Sequence, residues 1–200
     1  MGSGIIKQAM NKAVFLDRDG TVNEEVGYLD DLSKLRLLSG ADRAIKRLNE
    51  AGFKVVLVTN QSGVARGYFP ESLVHDAHAL LSTMLESEGA RIDAVYYCPH
   101  HPKAGNSRYT IDCECRKPKT GLIDRAVKEL AIDRKHSYMA GDKWSDVELG
   151  QRAGLQTILV KSGFAPDDEG NKRSEETRDP DFVAQSLSEA TDWILKREIR

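Results

Sequence analysis

Two aspartates one residue apart, Asp17 and Asp19 in the stretch FLDRDGTVN from Phe15 to Asn23, follow a short, largely apolar run, KAVFL from Lys12 to Leu16. Carboxylates this close repel each other, which raises the pKa of at least one unless a cation sits between them. The pair therefore suits either acid/base chemistry or a magnesium site. Gly20, just behind it, lets the backbone turn sharply around whatever binds there. A solvated turn with two surface aspartates is the competing reading of so short a motif.

Three further polar clusters accompany apolar segments. They are Thr59/Asn60, Arg116/Lys117 ahead of a helical stretch, and Asp142/Lys143 with Asp146. Together with the first pair they supply carboxylates, a hydroxyl, a lysine and an arginine. Carboxylates hold magnesium through hard oxygen ligands, usually one or two of them plus a substrate phosphate. A hydroxyl, a lysine and backbone amides bind the non-bridging oxygens of a phosphoryl group. No nucleotide P-loop is present. The most economical chemistry is phosphoryl transfer onto a carboxylate, followed by hydrolysis.

The three cysteines, Cys98, Cys113 and Cys115, fall in one loop region with His100 and His101. An odd count with two cysteines in a CxC pair fits a disulfide framework poorly. Three thiolates and one imidazole make a closed tetrahedral zinc site of the structural type, with Cys98, His100, Cys113 and Cys115 as ligands. His100 is preferred to His101, although both are within reach of Cys98. Free buried cysteines beside surface histidines are the alternative. A long polar loop without a core of its own needs such a staple.

The elements that must position these groups alternate. Strands are expected at 12–16, 53–58, 94–97, 137–140 and 156–160, and helices at 41–51, 70–88, 121–130 and about 145–153. A last edge strand is expected at 181–183 and a closing helix at 187–196. The helix over 70–88 places Leu73, Ala77, Leu80, Leu81, Met84 and Leu85 on one face. This alternation predicts an α/β fold, a doubly wound parallel sheet covered on both faces. In such a sheet the carboxyl ends of the strands share one edge, so the four polar clusters converge. Residues 162–179 are polar and rich in charge, and read as a mobile loop.

At 200 residues, the chain is the size of one domain with an elaborated loop. A net charge of -2 offers no electrostatic case for nucleic-acid binding, and no apolar run approaches the length of a membrane span. The first residues, MGSGIIKQAM, lack the apolar core of a secretory signal, and the MGSG start reads as an expression scar. A cytoplasmic monomer is expected, since no strong exposed apolar stripe is evident.

In order along the chain, DRDGT after a strand, the strand-terminal threonine of VVLVTNQSG, the lysine of CRKP before a helix and GDKWSD after a strand together resemble the haloacid dehalogenase (HAD) phosphatase superfamily. The resemblance implies Asp17 as nucleophile and Asp19 as general acid/base, with Thr59 and Lys117 binding the phosphoryl group. It implies a catalytic magnesium held by Asp17, Asp142 and the main-chain carbonyl of Asp19. Asp146, one helical turn beyond Asp142, is expected to stand behind the metal ligands.

The cysteine loop between the second and third motifs narrows the resemblance to the capless branch that holds the heptose-1,7-bisphosphate 7-phosphatases and histidinol-phosphate phosphatases. Gly27-Tyr28, TNQSGVARG from Thr59 to Gly67, YYCPHHP from Tyr96 to Pro102 and CECRKP from Cys113 to Pro118 are more similar to the heptose enzymes. That likeness implies a sugar bisphosphate losing its 7-phosphate through an aspartyl-phosphate intermediate, one domain over 1–200, and a zinc loop over about 98–115. It places Glu25, Tyr28, Asn60, Gln61, Ser62 and Arg116 around the substrate, with Lys143 and Arg66 as weaker candidate cations. Histidinol phosphate as substrate, and a non-catalytic zinc-stapled binding module, are the competing readings. Neither interval between motifs has room for a separate lid domain.

Overall fold

The computed structural model describes residues 10–105, 108–164 and 171–199. The N-terminal segment with its MGSG start, two residues of the cysteine loop and positions 165–170 of the expected mobile loop lie outside the described residues.

Six strands form one sheet: β1 (Ala13–Leu16), β2 (Lys54–Asn60), β3 (Ala94–Cys98), β4 (Tyr138–Gly141), β5 (Gln156–Val160) and β6 (Phe182–Ala184). Their order is β3-β2-β1-β4-β5-β6 and every pairing is parallel. The connections are made by α1 (Ala41–Glu50), α2 (Gly63–Arg66), α3 (Glu71–Ser87), α4 (Gly121–Leu130) and α5 (Trp144–Arg152), and α6 (Leu187–Glu198) closes the fold.

Strand alternation creates two cores. Val14, Leu16, Val55, Leu57, Ala140 and Ile158 pack with apolar residues of α1, α3 and α6, whereas Ala13, Phe15, Val56, Val58 and Met139 pack with α4 and α5. Each fully buried Leu, Phe or Val contributes about 1.5–3 kcal/mol. Burial on both faces is why these strands read as unbroken apolar runs.

The chain leaves β1 first toward β2 and β3, then returns on its other side to β4. The strand order thus reverses at β1 and β4, and the crevice beyond their carboxyl ends is where an open α/β sheet takes its ligand. Asp17 immediately follows β1 and Asp142 immediately follows β4.

The expected helices and strands are all present, with small differences at their ends. β2 runs through Asn60 because Thr59 and Asn60 pair with Tyr97 and Cys98 of β3. The helix α2 and two 3-10 turns, Leu32–Lys34 and Arg134–His136, were not expected, since three or four residues carry no readable period. Within the polar stretch 162–179, the part from Asn171 onward is strapped to α5. Asn171 Oδ1 accepts from Trp144 N at 2.8 Å, the Arg173 guanidinium lies 4.8 Å from the Trp144 ring centroid, and Gln151 bonds both the amide and the carbonyl of Arg178 at 3.0 Å. Among the described residues no helix is long and apolar enough to cross a membrane.

Candidate active site and metal-binding loop

A cavity of about 640 Å³ opens at the sheet's switch point, lined in part by Asp17, Asp19, Thr59, Arg116, Lys117 and Lys143. Glu25, Tyr28, Asn60, Gln61 and Ser62 also line it, so the structure brings together all the candidate substrate-binding residues read from the sequence except Arg66. Arg66 is not among the lining residues; its Nη2 faces His101 Nε2 at 3.2 Å.

Lys117 is the hub. It reaches the site from the loop before α4 and is buried. Its Nζ lies 2.8 Å from Asp17 Oδ1, 2.7 Å from Asp146 Oδ1, and donates to Val58 O at 3.0 Å. Burial opposes its charge, but the Asp146 and Asp17 carboxylates outweigh it and raise its pKa. Its backbone is clasped by Asn60, whose Oδ1 accepts from Lys117 N at 3.1 Å and whose Nδ2 donates to Lys117 O at 3.3 Å. Asn60 thus holds the lysine in place besides facing the cavity.

Asp17 Oδ1 accepts from the Arg18 amide at 2.7 Å as well as pairing with Lys117. Thr59 Oγ1 accepts from Gln61 Nε2 at 2.9 Å, which leaves its hydroxyl proton for another acceptor. Asp19 is held by Arg18, Asn23 and Gln61. Burial works against its charge, yet the Arg18 guanidinium and these hydrogen bonds keep its carboxyl below the usual range. Lys143 pairs with Glu25 at 3.0 Å. Burial opposes its charge too, and Asp17, Glu25 and Asp142 together push its pKa upward.

Asp142 is the least satisfied group in the site. It is fully buried, and neither carboxylate oxygen has a hydrogen-bond partner among the described residues. Burial, with Asp17 and Asp146 beside it, pushes its pKa up to about 8. Asp17, Asp142 and Asp146 each offer an oxygen within 4.8 Å of the others. Buried, hard oxygens that lack a counter-charge fit a divalent cation such as magnesium. Asp146 contributes differently: one oxygen goes to Lys117 and the other accepts from Lys143 N at 3.1 Å, capping α5. The turn Gly20 has φ +79°, and a Cβ there would overlap the Asp142 carboxylate, so this position requires glycine twice over.

The cysteine loop also converges. Cys98, His100, Cys113 and Cys115 each offer a ligand atom within 4.8 Å of the others, His100 Nδ1 lies 3.8 Å from Cys98 Sγ and 3.5 Å from Cys115 Sγ, and the cysteines form no disulfide. A hydrogen bond from Cys115 lowers the Cys98 pKa, whereas that same bond and burial raise the Cys115 pKa. A soft divalent ion would displace these protons, and the donor set fits zinc. His101 is turned elsewhere, its Nδ1 accepting from Lys103 N at 3.1 Å. The loop touches the cavity through two backbone carbonyls: Cys98 O accepts from Gln61 N at 2.8 Å and His100 O from Arg116 Nη1 at 3.1 Å. Arg18 and His78, both buried beside Asp19, were not singled out from sequence.

Comparison with known proteins agrees with this geometry. The HAD-hydrolase-like family model matches residues 114–190. The D-glycero-beta-D-manno-heptose-1,7-bisphosphate 7-phosphatase of Haemophilus ducreyi is 41% identical over 185 residues, covering 92% of this chain and 98% of that protein. Its counterpart in Haemophilus influenzae is 43% identical over 189 residues, 94% and 98% of the two chains. The crystal structure of D,D-heptose 1,7-bisphosphate phosphatase from B. bronchiseptica, complexed with magnesium and phosphate, is similar with a TM-score of 0.79 at 30% identity, over 93% of this chain and 99% of that one. With relatives of this identity aligned along nearly their whole length, the chain belongs to the D-glycero-D-manno-heptose-1,7-bisphosphate 7-phosphatase family of HAD-like hydrolases.

Proposed function

We propose that this protein is a magnesium-dependent phosphatase that removes the 7-phosphate of D-glycero-D-manno-heptose 1,7-bisphosphate through an aspartyl-phosphate intermediate. The observation that carries this reading is the pairing of Asp17 with Lys117 beside the unpartnered, buried carboxylate of Asp142. A binding module has no use for so costly an arrangement.

Asp17 attacks phosphorus through its carboxylate. One oxygen is already held by Lys117 and the Arg18 amide, which fixes the group for in-line approach. Lys117 Nζ and the Thr59 hydroxyl bind non-bridging oxygens of the phosphoryl group. Asp19, ionised among its donors in the free site, takes up the proton that the bound phosphate monoester brings and passes it to the departing sugar oxygen, then takes one from the water that hydrolyses the phosphorylated Asp17. Magnesium, held by Asp17, Asp142 and the main-chain carbonyl of Asp19, supplies charge neutralisation at the phosphoryl oxygens. Zinc, held by Cys98, His100, Cys113 and Cys115, staples the loop that carries Arg116 and Lys117.

The names of the relatives favour the heptose substrate over histidinol phosphate. Selectivity rests on Arg116, Glu25, Tyr28 and Lys143 at the cavity mouth, in a single-domain monomer acting in the cytoplasm. The test is phosphate release from heptose 1,7-bisphosphates, histidinol phosphate and fructose bisphosphate, compared by kcat/KM. A preference for histidinol phosphate would overturn the substrate, and release from none would overturn the enzyme.

A further inference from the structure

Arg18 lies between the two catalytic aspartates in sequence, yet its side chain is only 1% exposed and sits beneath the cavity. A buried guanidinium is costly unless its donors are spent. Its Nε and Nη2 form a fork on Asp19, with Nε at 3.0 Å from Oδ1 and Nη2 at 2.9 Å from Oδ1 and 2.8 Å from Oδ2. Nη2 also donates to Gln61 Oε1 at 3.1 Å, and Gln61 in turn donates to Asp19 Oδ2 at 2.9 Å. Asn23 Nδ2 completes the shell on Oδ1 at 2.9 Å.

The remaining arm, Nη1, points at His78 Nε2 on α3, 3.3 Å away. Arginine has only donors, so Nε2 accepts and the imidazole is neutral. Burial and the adjacent guanidinium push this histidine down to about 3, in keeping with that assignment. The Asp19 side chain nevertheless keeps 18% of its surface open to the cavity. A planar fork gripping a carboxylate from below, itself gripped from behind, fixes the plane in which that carboxylate presents its lone pairs.

We propose that Arg18 is the positioning residue of the Asp19 acid/base, and that His78 and Gln61 hold Arg18 in register for it. This rests on the reading of Asp19 as general acid/base. It makes α3, which contributes no residue to the cavity lining, the back wall of the proton-transfer machinery. His78 acts only as an acceptor, so a side chain that accepts in the same place substitutes for it, whereas one that merely fills the space does not.

The test compares His78→Leu with His78→Gln in the full chain, using p-nitrophenyl phosphate, whose leaving group needs little protonation, and an alkyl phosphate, whose leaving group needs it. His78→Leu should stay folded at the assay temperature, with a melting temperature lowered by the one Arg18 donor it leaves unpaired, keep KM within about twofold and lower kcat for the alkyl phosphate by ~10- to 100-fold, the scale of a small misplacement of a catalytic group. The loss on the aryl phosphate should be smaller, and His78→Gln should restore most of the rate. Arg18→Lys, which keeps the charge but not the fork, should show the same split between leaving groups. A folded His78→Leu with wild-type kcat on both substrates would overturn the proposal. So would a His78→Gln no better than His78→Leu, or equal losses on the two leaving groups. Undiminished turnover in Asp19→Asn would instead sink the acid/base reading beneath it.

Discussion

Lys117 and Asp146 meet at 2.7 Å with both side chains almost sealed from solvent. The same ammonium lies 2.8 Å from Asp17. One buried cation thus balances two of three clustered carboxylates, and the third, Asp142, is left for an ion from outside.

Removing that cation isolates the carboxylates. Lys117→Met should abolish turnover and, with magnesium chelated, destabilise the fold by about 3–5 kcal/mol, the usual cost of breaking a buried ion pair on one side. The deficit should grow with pH, because the stranded carboxylates can relieve it only by taking up protons. Urea denaturation at acid and mildly alkaline pH checks this; equal stability to wild type at both would show that the lysine balances nothing.

Asp142 gives the magnesium-free protein its own pH dependence. Its folded pKa of about 8 lies above the ordinary 3.8. Between those values the folded state binds a proton that the unfolded state does not, so this group's contribution to stability falls as pH rises. The melting temperature in chelator should therefore carry a downward component over that window, which Asp142→Asn removes. Magnesium should stabilise the wild type more at the upper end than at the lower. A magnesium effect that is flat with pH would argue against Asp142 as a ligand.

Much of this site was legible in the sequence because its residues sit where apolar runs end. Asp17 follows β1, Thr59 is the penultimate residue of β2 and Asp142 follows β4, so recognising the strands places the chemistry. The cysteine spacing likewise marked Cys98, His100, Cys113 and Cys115, which converge. What stayed hidden depends on side-chain direction. Arg18 looks like any charged turn residue, and nothing in a helical period separates His78 from a solvent-facing histidine. Asn171 and Thr177, buried in a stretch polar enough to read as a mobile loop, are satisfied by polar groups of α5 rather than by an apolar face. Periodicity cannot register such contacts.

The cysteine loop should be needed for activity although it lies outside the reacting centre. Cys113→Ser should lose the roughly one zinc per chain expected of a closed four-ligand site. Two backbone bonds would loosen with it, Cys98 O to Gln61 and His100 O to Arg116, and these support Asp19 and the cavity mouth. Metal analysis alongside steady-state assays provides the check. Full activity in folded, zinc-free protein would show that the staple is dispensable.

Asp17→Asn preserves shape while removing the anionic nucleophile, and should cost about a thousandfold or more in kcat with the fold intact. Asp19→Asn should slow both chemical steps. Peptide mapping after rapid acid quench should find phosphate on Asp17; phosphate on a histidine or serine would contradict the scheme, as would a tenth of wild-type activity remaining in Asp17→Asn.

Arg116 should separate substrate choice from chemistry. Its guanidinium lines the cavity, and burial lowers its pKa without a carboxylate partner among the described residues. One arm is spent on His100 O, which sets the direction of the fork. A bisphosphorylated sugar carries a second phosphate away from the reacting one, and a fixed planar fork suits such an oxyanion. A charge-assisted hydrogen bond contributes about 1.5–3 kcal/mol, so Arg116→Ala should lower kcat/KM for heptose bisphosphate by roughly 10- to 100-fold. The loss on p-nitrophenyl phosphate, which has only the reacting phosphate, should be several times smaller. Equal losses on both substrates would move Arg116 to the transferred phosphoryl group, and selectivity would then have to come from Lys143, Glu25 and Tyr28 across the cavity mouth.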